Sequence, residues 1–315
     1  MHPALSVIIF TTSSGAGYGM LFWLGVFAAC DRLPMHSFFA PAGLAISLAA
    51  IAGGLLSSML HLGRPERAWR AFSQWRSSWL AREGVAAVAT FAPAGVFGIG
   101  LLFLHGNRPL LAVSGALCAV GAVVTVICTA YIYRSLRPVQ RWANCWVPPA
   151  YLAMAAMTGA LWLGVLSAIF RQERPDFALL ALASIVAAAL IKLGYWRFID
   201  TTSSISTAES ATGLGSIGKV RLLDPPNTSE NYLMKEMGFR IARKHARKLR
   251  RIALFAGFVM PFLLVAAGRY SNGAPQAILW LLAALIAMGG ILTERWLFFA
   301  EAKHTVMLYY GASTA

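Results

Sequence analysis

The sequence predicts an all-α polytopic membrane protein with eight transmembrane helices, and three observations carry that reading. Of 315 residues, 58% are hydrophobic and only 12% charged, against roughly 25% charged in an average soluble domain. The apolar residues gather into runs of about 20, the length of helix that crosses a bilayer core about 30 Å thick. These runs have almost no polar face, which a soluble all-α bundle would need on most of its helices. No low-complexity tract is present, so disordered and fibrous classes are excluded as well.

The runs extend over Ile8 to Ala29, Phe39 to Leu62, Gly84 to Leu104, Leu110 to Tyr133, Val147 to Phe170, Phe177 to Trp196, Ile252 to Ala267 and Gln276 to Phe299. Each is bounded by charge, proline or glycine. Met1-His2-Pro3 supplies no basic n-region, so the first run reads as a span and not as a cleaved signal peptide. Arg64 and Glu83 bracket the turn from the second run to the third, and Arg108 and Arg134 bracket the fourth. The seventh is the weakest because Pro261 interrupts it, although a membrane helix tolerates proline where neighbours satisfy the freed carbonyl.

The net charge of +15, from 27 Lys and Arg against 12 Asp and Glu, would raise nucleic acid as a partner in a soluble protein. Here its placement matters more than its sum. With an even number of spans, both termini share a side with the loops after the second, fourth and sixth. That side holds 21 Lys and Arg, Arg295 and Lys303 included, and the other holds five: Arg32, Arg108, Arg171, Arg174 and Arg269. The positive-inside rule places the termini and the three large loops in the cytoplasm, with no role for nucleic acid.

Resident redox chemistry has no ligands to rest on. Cys30, Cys118, Cys128 and Cys145 form no C-x-x-C pair, and none of His2, His36, His61, His105, His245 and His304 lies mid-span where a membrane haem would need it. No phosphate loop, zinc-protease or nucleophile-elbow motif occurs. Lys192, four residues from Trp196, reads as a snorkelling lysine at the cytoplasmic end of the sixth span. Glu294 and Arg295, near the end of the last span, read as charges that pair with neighbouring helices. A transporter would carry mid-membrane charges or paired broken helices, and neither is evident.

The densest chemistry lies between His61 and Glu83. Ala68, Trp69, Phe72, Trp75 and Trp79 recur at helical spacing, with Arg67, Arg70, Gln74 and Ser77 between them. That describes an amphipathic helix in the membrane interface, and an aromatic belt with basic anchors accounts for its Trp and Arg residues equally well. His61 on the last turn of the second span and Glu83 at the mouth of the third stand side by side if the chain bends back. A quinone needs such a place: donors for its carbonyls, aromatic walls, and groups that move two protons. His61 would bond a carbonyl and Glu83 would connect the site to cytoplasmic water. A satisfied helix-end histidine is the other reading of His61.

The residues resemble the integral membrane anchor subunits of dimethyl-sulfoxide-reductase-type molybdoenzymes. The likeness covers nearly the whole chain: His2-Pro-Ala-Leu-Ser-Val-Ile with Thr-Ser-Ser-Gly-Ala-Gly-Tyr18-Gly, His61-Leu-Gly-Arg-Pro-Glu-Arg-Ala-Trp, Ser73-Gln-Trp-Arg-Ser-Ser-Trp-Leu, Glu209-Ser-Ala-Thr-Gly-Leu-Gly, and the stretch from Glu230 to Arg250. The resemblance implies eight spans and no haem or iron–sulfur cluster in this chain. It also implies two partners, a molybdopterin catalytic subunit and an iron–sulfur electron-transfer subunit, and a membrane quinone (ubiquinone or menaquinone) as substrate. Its quinone-site histidine and glutamate match His61 and Glu83, with Arg64 beside them.

Residues 1–197 then form six helices with the quinone-site loop 63–83, residues 198–251 a cytoplasmic basic loop, and residues 252–315 the last two helices and a tail. The basic loop is either held near anionic lipid or serves, with Lys235, Arg240, Arg243 and Lys244, as a docking arm for the iron–sulfur subunit, together with Arg67, Arg70 and Arg76. The charge count is similar to the branch whose catalytic subunits face the cytoplasm, the sulfite:quinone oxidoreductases. The reductive direction, from menaquinol to an S- or N-oxide, and a small-molecule transporter outside the family are the alternatives.

Overall fold

A computed structural model describes residues 4–34, 38–60, 62–104, 106–172, 175–237 and 241–314, except the side chains of 175 and 241–244. His61 and Arg240 of the expected site lie outside the described residues, as do the side chains of Arg243 and Lys244. Among the described residues there is no strand, and eight helices are long and apolar enough to cross a membrane.

Six helices come first: α1 (Leu5–Ala29), α2 (Phe39–Met59), α3 (Trp79–Phe103), α4 (Arg108–Arg134), α5 (Val147–Ile169) and α6 (Pro175–Thr201). Their starts follow local chemistry. Ser78 caps α3 by accepting from the Ala81 N–H, and Asn107 caps α4 by accepting from Leu110. Pro148 and Pro149 sit in the first turn of α5, where a missing N–H costs no intrahelical bond. Because Ser78 caps α3, the helix begins before Glu83. That residue is therefore inside the helix and not at its mouth.

Between α6 and the seventh span, α7 (Ala208–Thr212) and α8 (Tyr232–Met237) are short, and α9 (Ile241–Leu254) is long and basic. Helix α9 runs without a break into the seventh span. A π-helical turn, Phe255–Val259, leads into α10 (Met260–Gly268). This widened turn directly precedes Pro261, the residue that lacks an N–H for the ladder. The last span is α11 (Gly273–Ala300).

Helix α1 lies at the centre, packed against α2, α4, α5 and α11. Lipid tails are as apolar as leucine, so helices in a bilayer associate through close backbone approach and hydrogen bonds. At Gly19 a Cβ would stand 1.7 Å from the Ala155 carbonyl oxygen of α5, and at Gly159 it would stand 2.1 Å from the Gly19 carbonyl carbon. The Ser47 hydroxyl of α2 donates to the Gly17 carbonyl at 2.8 Å, and the Trp23 indole donates to Ala156 at 2.8 Å.

The connection from α2 to α3 departs from expectation. In place of an amphipathic α-helix, Pro65–Gln74 forms a 3₁₀ helix with no buried residue. A rise of about 2.0 Å per residue, against about 1.5 Å in an α-helix, carries it farther across the bundle end. It is tied down at its far end. Phe72 packs on Gly84, and Arg82 donates to the carbonyls of Trp75 (2.9 Å) and Arg76 (2.7 Å) while lying over the Trp79 ring.

Candidate functional site

Glu83 lies in the second turn of α3 and is 4% exposed. One carboxylate oxygen accepts a hydrogen bond from the Thr129 hydroxyl of α4. Thr129 also donates toward the Thr125 carbonyl at 3.1 Å, and the Thr125 hydroxyl meets that of Thr90 at 3.4 Å, so a threonine ladder joins α3 to α4 behind the carboxylate. Among the described residues no cation pairs with Glu83. Its neighbour Arg82 turns outward to hold the loop. A buried carboxylate without a counter-charge is expensive in a membrane, and such residues mark pathways for protons or substrates.

Thr129 also lines a small cavity of about 20 Å³ between α1, α4, α5 and α11, room for about one water molecule. The hydroxyls of Thr12, Tyr18 and Tyr151, all lining this space, are buried; that of Tyr18 faces Thr125, that of Tyr151 faces Arg295, and that of Thr12 has no partner among the described residues. Buried polar atoms in a folded protein are ordinarily satisfied. The void is therefore a polar place inside the bundle, lined by three buried hydroxyls of which Thr12's has room for a water partner.

Arg295 forms the far wall of this cavity and belongs to a buried charge cluster. Lys192 on α6 forms an ion pair with Glu294 on α11, whose other oxygen lies 3.3 Å from Arg295 Nε. All three residues are at most 3% exposed. The ammonium of Lys192 lies 4.1 Å from the Tyr195 ring centre, and the guanidinium of Arg295 lies 3.8 Å from that of Tyr151. Lys192 is therefore not a snorkelling lysine. A partner of opposite charge at the same depth on α11 holds it inside the bundle. Arg295 likewise leaves the cytoplasmic count, which becomes 20 cations against five.

The profile of the DMSO reductase anchor subunit (DmsC) family matches residues 1–311. The chain belongs to this family. It is 30% identical over 331 aligned residues to a sulfite dehydrogenase subunit of Allochromatium vinosum, with 98% of this chain and 99% of that one covered. It is thus a multi-pass membrane anchor of the DmsC family and a homologue of that sulfite dehydrogenase component.

In this DmsC-family anchor the other described site residues lie on the loops at one end of the bundle. Arg64, Arg67, Arg70 and Arg76 are exposed on the loop from α2 to α3, with Arg70 and Arg76 over the rings of Trp69 and Trp75. Arg64 forms no ion pair with Glu83 among the described residues. Lys235 is exposed on α8.

The loop that carries α7 and α8 is closed at its base. Arg250 on α9 binds Asp200 at the end of α6 (2.6 and 3.1 Å) and Glu301 at the end of α11 (2.9 Å). The C-terminal tail pins it again, through a β-bridge between Thr207 and Thr314 and a bond from Asn231 to the Tyr310 hydroxyl at 2.9 Å. Glu209 accepts bonds from its own backbone N–H, from Thr207 and from the Val220 N–H, which hold its carboxyl below the usual range. Among the described residues no three His, Cys, Asp or Glu side chains cluster as metal ligands would.

Sequence reasoning expected Glu294 and Arg295 to pair with neighbouring helices, and missed Thr129, Tyr18, Tyr151 and the part of Lys192 as the partner of Glu294. For the cluster a signal existed: Lys192, Glu294 and Arg295 lie within spans, at comparable distances from the same membrane face. For the hydroxyls there was none, because threonines and tyrosines inside spans are common.

Proposed function

We propose that this anchor is the quinone-reactive subunit of a sulfite:quinone oxidoreductase, held in a bacterial cytoplasmic membrane with both termini and the docking face in the cytoplasm. The observation that carries the reading is the carboxylate of Glu83, buried without a cation partner among the described residues just beneath the face that bears the basic loops. A carboxyl in that position donates and recovers protons while its surroundings exclude bulk water. His61 and Arg64, on the chain leading away from α2, supply the donors for the quinone carbonyls.

The electron balance fits a two-electron anchor. Sulfite and water give sulfate, two protons and two electrons in the molybdopterin subunit. The electrons pass through the iron–sulfur subunit, and quinone takes up two electrons and two protons to become quinol. Glu83 gives one of those protons and regains it from cytoplasmic water. Residues 198–251 with Lys235, Arg240, Arg243 and Lys244, joined by Arg67, Arg70 and Arg76, form the basic face on which the iron–sulfur subunit docks, and residues 1–197 and 252–315 form the membrane part. The name of the Allochromatium relative and the excess of cations on one face favour sulfite oxidation over reduction of an S- or N-oxide. The family membership replaces the transporter reading.

Purification of the tagged anchor from its native host tests this. The expected result is co-purification of two soluble subunits containing molybdenum and iron, with sulfite-dependent reduction of quinone. An anchor that purifies with a quinol-dependent S-oxide reductase, or a tag at Ala315 reached only from outside the cell, would contradict it.

A further inference from the structure

A second cavity, apolar and of about 230 Å³, lies between α1, α4 and α5. Its walls are Tyr18, Phe22, Val123, Val126, Leu152 and Ala155, among others. Phe22, Val123 and Leu152 at its rim are half-buried, so it opens to the outside of the bundle. Tyr18 and Val123 stand near the midpoints of α1 and α4, which places that opening among the lipid tails. Val123 precedes Thr129 by six residues, about 9 Å along the helix at about 1.5 Å per residue.

Tyr18, Val126 and Ala155 line both this groove and the small cavity with the three buried hydroxyls. The ring of Tyr18 faces lipid-like surroundings on one side, and beyond it lie Thr12, Tyr151, Arg295 and the threonine that binds Glu83. An apolar mouth in the bilayer leading to a polar end with buried hydroxyls and Arg295 fits one chemistry: an amphipathic ligand with an apolar tail and a head rich in hydrogen-bond acceptors. An acyl chain alone would make no use of the hydroxyls. A polar solute would have no way through the lipid.

We propose that an isoprenoid quinone enters laterally from the bilayer through the groove between α1, α4 and α5, and that Tyr18 is the partition it passes to reach the hydroxyl-lined chamber beside Glu83. The first isoprenoid units occupy the groove, and turning of the Tyr18 side chain joins groove and chamber into one site in which the ring reaches the hydroxyls. This rests on the quinone reading above and gives it an entry path that His61 and Glu83 do not specify.

The test is steady-state turnover of the intact complex with decylquinone and, separately, with a soluble artificial electron acceptor. Val123→Trp and Leu152→Trp fill the groove from its half-buried rim. Val120→Trp places the same bulk on a lipid-facing position of α4 that is 59% exposed and does not line the groove. Filling the groove raises the KM for decylquinone by about tenfold or more, the scale on which a hydrophobic pocket responds to misfitting groups. Turnover with the artificial acceptor stays at the wild-type level, and Val120→Trp behaves as wild type. If both groove variants keep a wild-type KM while Glu83→Gln suppresses quinone turnover, the quinone reaches Glu83 by another route and this proposal fails alone. If Glu83→Gln leaves quinone turnover intact, the quinone reading itself fails and takes the entry path with it.

Discussion

Glu83 on α3 and Thr129 on α4 are joined by a hydrogen bond in a part of the bundle where no described cation reaches the carboxylate. That bond is the one direct stabilisation the carboxylate receives from a neighbouring helix among the described residues. A hydrogen bond to a charged group is worth about 1.5–3 kcal/mol. Thr129→Val removes it without opening a void, and quinone-coupled turnover is expected to fall by about tenfold, with Thr129→Ser restoring most of it. Steady-state quinone reduction by the purified complex checks both variants.

The cluster of Lys192, Glu294 and Arg295 makes an asymmetric prediction about stability. Glu294 holds two cations, so Glu294→Gln leaves both buried without a counter-charge, a change that costs about 3–5 kcal/mol when a buried pair is broken. Lys192→Met leaves Glu294 paired with Arg295 and is expected to destabilise less. Thermal denaturation of the anchor in detergent measures the order. Equal melting of the wild type and Glu294→Gln would contradict a stabilising role for this cluster.

Contact between α1 and α5 is made at glycine, and not every glycine is equivalent. Gly19→Ala drives a methyl into the Ala155 carbonyl and is expected to prevent assembly of the bundle. Gly53→Ala meets nothing within 4 Å on α2, and replaces glycine in a helix interior, where it is expected to stabilise by about 0.5–1 kcal/mol. Yield of monodisperse protein in detergent and its melting temperature separate the two.

The C-terminal tail carries a pH-sensitive contact. His304 Nδ1 accepts a bond from the Val306 N–H at 3.0 Å, capping the turn Thr305–Leu308, and partial burial holds the imidazole below its usual range. A folded-state pKa below the unfolded one means that the contribution is fully present above the unfolded value, about 6.5. It is lost as pH falls through the lower folded value. Amide protection at residues 305–308, corrected for intrinsic exchange, is expected to drop from about pH 8 to about pH 5, and in His304→Phe to be low throughout.

The eight spans were legible because a bilayer demands runs of apolar residues that composition alone reveals. Glu83 was legible because a carboxylate beside a span stands out against so few charges. What failed was the third dimension. Lys192 looked like a snorkelling residue because its partner, Glu294, is about a hundred positions away, and nothing local shows that α6 and α11 face each other there. The loop after α2 kept helical spacing of its tryptophans, yet the chain drew it out as a 3₁₀ helix, since spacing of three to four residues fits either period. Tyr18 and Thr129 became visible only when packing left their hydroxyls around one cavity and beside one carboxylate.

The central claim is that this anchor hands electrons to quinone beside Glu83 and does not merely hold its partners to the membrane. It is tested most directly by measuring, in one preparation of the intact complex bearing Glu83→Gln, sulfite-dependent reduction of quinone beside sulfite-dependent reduction of a soluble artificial acceptor. The expected result is loss of quinone reduction by about a hundredfold or more, the scale of general acid–base catalysis, with the artificial-acceptor activity unchanged. Equal activity with both acceptors, or equal loss of both, would contradict it.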